Sequence, residues 1–209
     1  MRASSPRVPK RGGDMPRKPR PLAGNTYYHI FNRGVNKQDI FWDDRDRQLF
    51  LRILSRAKGI YGIKLFAFCL MSNHYHLFLW TQESNLHRAM QLLQSQYVQY
   101  INLRYDRVGH LFQGRYQLRA VEADPYSLWL IRYIHRNPAE AVTGTDYAAY
   151  TWSSYRSFMN PTECPNWLDA NWVLSQFHSD PALARQLFAQ FHNSVHEGFE
   201  PSVPRMLLT

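Results

Sequence analysis

Cysteine is nearly missing from this chain of 209 residues, which carries only Cys69 and Cys164. One lies in an apolar stretch and the other in a Pro-rich loop. Such a pair makes no disulfide framework and points to a reducing, cytoplasmic compartment. Long apolar runs are lacking too. None is long enough to cross a bilayer, no secretory signal pattern is visible, and no membrane partner is expected. No internal repeat is found. Acidic residues are scarce, with 16 Asp and Glu against 25 Lys and Arg, for a formal charge of +9 and a pI near 9.7. That imbalance favours an anionic partner, and nucleic acid is the commonest one.

What is present suffices for a core. Hydrophobic residues make up 44% and aromatics 15% of the chain. The length allows one domain plus an extension. Much of the positive excess lies in Arg2, Arg7, Lys10, Arg11, Arg17, Lys18 and Arg20, opposed by Asp14 alone. Residues 1–22 therefore read as a disordered basic tail that adds phosphate affinity. Met15 is a second candidate start. Residues 23–150 read as the main domain, and 151–209 as an extension with short helices.

The elements follow from periodicity. Thr26–Asn32 reads as a strand ended by Arg33-Gly34. Asp43-Asp44 opens an amphipathic helix to Tyr61, stopped by Gly62. Strands Ile63–Met71 and His74–Trp80 follow, joined by Ser72-Asn73. Ser84-Asn85 caps a helix running to about Tyr105, and its Gln91, Gln94, Gln96, Gln99 and Asn102 read as a solvated face. A Gly-bounded loop, Gly109 to Tyr116, leads into a strand ending at Val121. Asp124 as N-cap and Pro125 in the first turn start a third helix, expected to stop before Pro138. The order β-α-β-β-α-β implies an α+β, ferredoxin-like (split βαβ) fold: a four-stranded antiparallel sheet with helices on one face, the other open for a site. The aromatic stretch Tyr150–Tyr155 should pack back on the domain. Leu168–Phe177 and Pro181–His196 read as helices, with His178, His192 and His196 at the surface.

The stretch Leu70-Met71-Ser72-Asn73-His74-Tyr75-His76-Leu77 carries the chemistry. Alternation puts His74 and His76 on one strand face, where two imidazoles can grip a metal ion. A solvent-facing pair of polar residues is the plainer reading, because His-x-His arises often by chance. His29 reads as a pocket-edge or core histidine, with metal binding the minority option. On the third helix Tyr133 and Asn137 share a face one turn apart, at about 100° per residue. If that face meets the histidines, the site gains an amide oxygen and a phenol. Imidazoles with a carbonyl oxygen suit Mg²⁺ or Mn²⁺ better than closed structural zinc. A phenol, with a pKa of roughly 10, can be a nucleophile towards a metal-polarised phosphate.

This segment resembles the His-hydrophobic-His (HUH) motif of single-tyrosine transposases. Tyr133-Ile134-His135-Arg136-Asn137-Pro138 resembles their nucleophile helix. With Tyr28-His29-Ile30, Asn32-Arg33-Gly34 and Phe112-Gln113-Gly114-Arg115-Tyr116, the pattern is most similar to the REP-associated tyrosine transposases, over about Thr26 to Tyr155. The resemblance implies the ferredoxin-like HUH fold and cleavage and rejoining of single-stranded DNA at palindromic REP hairpins through a 5′-phosphotyrosine. It makes His74 and His76 the metal pair, Tyr133 the nucleophile and Asn137 the third ligand, where relatives often carry glutamine. Tyr75, more polar than the usual middle residue, should face the helix layer and find a hydroxyl partner. Arg33, Arg115, Arg119, Arg132 and Arg136 are the candidate DNA contacts, with Mg²⁺ or Mn²⁺ as cofactor. The chain should act as a monomer or homodimer in the bacterial cytoplasm, at the nucleoid. A non-catalytic hairpin binder and a metal-dependent hydrolase using water are the rivals. Tyr116, beside Arg115, is the competing nucleophile.

Overall fold

In the computed structural model, which describes residues 22–121, 125–141 and 143–194, strands β1 (Thr26–Arg33), β2 (Ile63–Leu70), β3 (His74–Thr81) and β4 (Gln117–Val121) form one sheet. Its order is β2-β3-β1-β4, with every neighbouring pair antiparallel. That order is the expected split βαβ arrangement. β1 and β3 occupy the centre and bury nearly every side chain, so both faces must be covered.

Helices α1 (Asp44–Tyr61) and α2 (Leu86–Arg104) cover one face. α1 starts with a capping box, in which Asp46 N–H donates to Asp43 Oδ1 at 3.1 Å and Asp43 N–H to Asp46 Oδ2 at 3.4 Å. It ends at Gly62 in the left-handed region, φ 63°. Phe50, Ile53, Leu54 and Ala57 of α1 face Leu86, Met90, Leu93, Tyr97 and Ile101 of α2 across this layer, all buried. Tyr75 points into the same layer, its ring 4.9 Å from that of Phe50, and its hydroxyl accepts from Gln94 Nε2 at 3.1 Å.

Helix α3 (Pro125–Ala141) crosses the other face over β2 and β3. It continues through Pro138, where the sequence predicted a stop. Pro138 stands near the C-terminal end, so its missing N–H and ring cost few helical bonds; Pro138 itself is buried, whereas Glu140 and Ala141 after it are exposed. Asp124, the expected cap, lies outside the described residues, as do residues 1–21 of the basic tail and His196.

The extension seals the β2 edge. Leu70 N–H donates to Trp152 O at 2.8 Å, Ser154 N–H to Phe68 O at 3.0 Å, and Asp169 N–H to Leu65 O at 2.8 Å. An edge paired in this way offers no template for another chain. The short helices α4 (Tyr155–Met159) and α5 (Ala170–Ser175) follow, then α6 (Pro181–Asn193). Trp172 lies over Tyr27 and Phe66, with ring centroids 5.4 and 4.5 Å apart. His178 is exposed as expected. His192 is fully buried instead. It shares the inner face of α6 with Ala184 and Phe188, and its polar atoms are satisfied by His135 and Phe188 O.

Candidate metal and nucleophile site

The alternation of β3 puts His74 and His76 on the face away from α1 and α2. Their rings stand perpendicular, at 89°, with centroids 5.2 Å apart. α3 brings two side chains over them. The Tyr133 ring meets His76 edge-on at 5.6 Å. One turn later, Asn137 Oδ1 lies 2.9 Å from His74 Nε2, and its Nδ2 donates to the Tyr133 hydroxyl at 3.4 Å. Tyr133 is 8% exposed, and the other three are also buried. The structure therefore brings together the four residues singled out on β3 and α3.

Hydrogen bonding decides which ring nitrogens carry protons. Asn73 Nδ2 donates to Lys37 O at 3.2 Å, which turns Asn73 Oδ1 towards His74 Nδ1, 2.6 Å away. His74 Nδ1 is then the protonated nitrogen, and Nε2 carries a lone pair. His76 Nδ1 lies 2.9 Å from His29 Nε2; with His76 as the donor of that bond, its partnerless Nε2 carries a lone pair and is not an orphaned buried N–H. Both imidazoles are neutral at pH 7. Burial pulls His74 down to about 4, opposed by its contact with Asn137 and aided by the Arg33 guanidinium. Burial, with the neighbouring histidines, holds His76 well below its usual value. His29 falls to about 3 through burial and Arg119.

Two atoms in this set are poorly served by protein alone. His76 Nε2 is buried with no hydrogen-bond partner. His74 Nε2 and Asn137 Oδ1 face each other as two acceptors with no proton between them. Such a contact is repulsive unless a cation joins the two atoms or the amide turns over. Two neutral imidazole nitrogens and an amide oxygen thus fit a divalent cation of the Mg²⁺ or Mn²⁺ type with coordination positions left open. Among the described residues no group of three or more His, Cys, Asp or Glu converges, so no closed structural metal site competes.

The other candidates divide. Arg33, at the end of β1, is paired in register with His74 and is 7% exposed. Arg119 is paired with His29 on β4, and Arg115 lies in the exposed loop before it. Arg132 and Arg136 turn to α6 instead. Arg132 Nε donates to Phe191 O at 3.0 Å and its Nη2 to Ser194 O at 2.6 Å, while Arg136 Nη1 donates to His192 O at 2.9 Å. They cap the last turn of α6, where free carbonyls and the helix dipole favour cations. Tyr116 is buried, and its phenol acts electrostatically on Tyr75, on the α1–α2 side of the sheet. Asn73 was legible only as a turn residue. An Asx side chain directly before a candidate ligand was the available signal.

No curated protein matches the chain. A solved structure described as a REP-associated tyrosine transposase bound to a REP hairpin shares the fold, with a TM-score of 0.58 at 12% identity over 68% of this chain and 84% of that one. Among the described residues no helix is long and apolar enough to cross a membrane. The family description of IS200-like transposases matches residues 23–137, more than half of the chain, and so the chain belongs to the IS200-like transposase family.

Proposed function

We propose that the protein is a metal-dependent transposase that cleaves and rejoins single-stranded DNA at REP-type hairpins through a 5′-phosphotyrosine. The observation that carries this reading is the convergence of His74, His76 and Asn137 beside the Tyr133 phenol. Mg²⁺ or Mn²⁺ held by His74 Nε2, His76 Nε2 and Asn137 Oδ1 would supply a positive charge for a non-bridging phosphate oxygen. Asn137 steers the Tyr133 oxygen from one turn away, and the packed rings of His76 and His29 restrict the phenol. Tyr133 Oη forms a bond to phosphorus as the P–O3′ bond breaks. The phenol proton passes to water, and the released 3′ oxygen takes one up. The reverse reaction with another 3′-OH rejoins strands and needs no ATP. Arg33, in register with His74, Arg119, in register with His29, and the exposed Arg115 would supply phosphate contacts.

Duplex DNA cannot bring its phosphate into so buried a site, so a single strand or a hairpin flank is the substrate. The test is a denaturing gel of a labelled hairpin incubated with Mn²⁺. Wild-type protein should retain label covalently, Tyr133→Phe should not, and Tyr116→Phe should. Adduct formation by Tyr133→Phe, with loss in Tyr116→Phe, would move the nucleophile to the other face. Strand cleavage with no adduct at all would favour attack by water.

A further inference from the structure

Helix α3 carries Tyr133 and Asn137 on the side that meets β3. Between them stands His135, about 200° round the helix from each and fully buried. The reaction described above gives it no part, yet both of its ring nitrogens are engaged. Nε2 lies 2.7 Å from Ser154 Oγ, and Nδ1 lies 3.0 Å from Nε2 of His192.

One directed run of hydrogen bonds accounts for these contacts. A carbonyl oxygen only accepts, so His192 Nδ1 donates to Phe188 O at 2.9 Å and its Nε2 carries the lone pair. His135 Nδ1–H then donates to that nitrogen. Burial keeps both rings neutral at pH 7, so His135 Nε2 accepts from the Ser154 hydroxyl. The hydroxyl's other acceptor, Phe68 O, is farther away at 3.3 Å. Ser154 Oγ in turn accepts from Phe68 N–H at 2.9 Å, and Ser154 N–H donates to Phe68 O at 3.0 Å. The rings of Tyr155, Phe158 and Phe188 stand 5.7, 5.4 and 5.9 Å from that of His135 and give it an apolar surround, where such bonds are strong.

The run starts on β2, where Phe68 is paired with Leu77 and Cys69 with His76. It ends on α6, which Arg132 and Arg136 of α3 also grip. The nucleophile helix is thus tied to the strand beside the metal pair by bonds that need neither metal nor DNA. Ser154, Phe188 and His192 all lie outside residues 23–137, the part that matches the family.

We propose that His135 is a positioning residue, held by Ser154 and His192 of the extension so that the Tyr133 phenol stands in place over His76 before substrate arrives. The proposal deepens the reading of Tyr133 as nucleophile and rests on it. In-line attack tolerates little displacement of the attacking oxygen, and a misplacement of about 1 Å costs about 100-fold in rate. Anchors at two nitrogens of one ring, one leading to β2 and the other to α6, oppose both rolling and sliding of α3. The extension then completes the catalytic geometry as well as covering the sheet edge.

The experiment places 3-fluorotyrosine at position 133 of the full chain and records its fluorine resonance without metal or DNA. Wild type should give one narrow line. Ser154→Ala and His192→Leu, each of which breaks the run at a different bond, should shift or broaden it. His192→Gln keeps an acceptor for His135 and should stay close to wild type. Val173→Ala, a cavity variant in α5 outside the run, should lower the urea midpoint and leave the line unmoved. With unlabelled protein at saturating hairpin and Mn²⁺, Ser154→Ala and His192→Leu should slow single-turnover adduct formation by about 10–100-fold with hairpin affinity unchanged. A wild-type line and rate in both variants overturns the proposal. So does an equal loss in Val173→Ala, which would reduce the role of the run to general stability. Failure of the nucleophile reading shows separately, as absence of adduct from wild type, while the fluorine line still reports whether the run positions the ring.

Discussion

His29 Nε2 lies 2.9 Å from Nδ1 of His76, diagonally from it on the adjacent strand, where His29 is in register with Phe78, and 47 residues away in sequence. The two rings are nearly parallel, at 20°. With His76 as donor, this bond leaves its Nε2 lone pair free on the side beneath Tyr133 of α3. His29 thus supports the site without facing the substrate, as partners behind metal-binding imidazoles commonly do.

Replacing His29 should therefore weaken Mn²⁺ binding without abolishing it. His29→Ala should lower affinity about 10–100-fold in calorimetric titration without DNA. His29→Gln, which keeps an acceptor oxygen, should recover part of the loss. Equal affinities for wild type and His29→Ala would remove the positioning role.

His74→Ala and His76→Ala should each eliminate measurable Mn²⁺ binding at micromolar concentrations, because each deletes one of the two nitrogen ligands. Asn137→Asp should tighten binding by adding charge to the same oxygen position. Paramagnetic resonance of Mn²⁺ gives this readout on protein alone. Unaltered binding in both histidine variants would place the ion elsewhere.

Arg132→Ala should lower unfolding stability by about 1–2 kcal/mol, since it strips two hydrogen bonds from the end of α6. Its effect on the salt dependence of hairpin binding should be small. Arg119→Ala should do the reverse, reducing the slope of log affinity against log salt by about one. Urea unfolding and binding titrations at several salt concentrations separate the two. A reduced salt slope in Arg132→Ala with full stability would assign that arginine to DNA.

Acid should destabilise the protein through His135 and His192. These rings are bonded to each other at 3.0 Å, and His135 also meets Ser154 Oγ at 2.7 Å. Burial lowers both, His192 to about 3 and His135 well below its usual value. The unfolded chain binds more protons than the folded one at pH values below about 6.5. The stabilising contribution is thus fully present above that pH and is lost as pH falls from there towards 3. The urea midpoint at pH 5 should lie below that at pH 7.5, and His192→Gln should narrow the gap. Identical midpoints for wild type at both pH values would contradict this.

Much of this architecture was legible because its causes are local. The ends of α1 are set by Asp43, Asp46 and Gly62, and each acts within a few residues. The strands declared themselves by β-prone, alternating composition, and the order of elements left few topologies open. Alternation also put His74 and His76 on one face, and helical spacing put Tyr133 and Asn137 on another. The misreadings share a different cause. His192 and Pro138 read differently by local polarity or propensity, whereas packing of α3 and α6 decided their places.

The sequence by itself determined the α+β class, the strand order and the two pairs of chemically capable residues, because periodicity fixes which side chains share a face of one element. Only the tertiary structure decided that the pairs face each other, that His29 and Asn73 set the ring tautomers, and that Arg132 and Arg136 hold α6. Apart from the contact between neighbours Asn73 and His74, itself oriented by Lys37 O, those relations join residues from 36 to 63 positions apart. Distances of that kind depend on how the elements pack, and no local pattern in the chain encodes them.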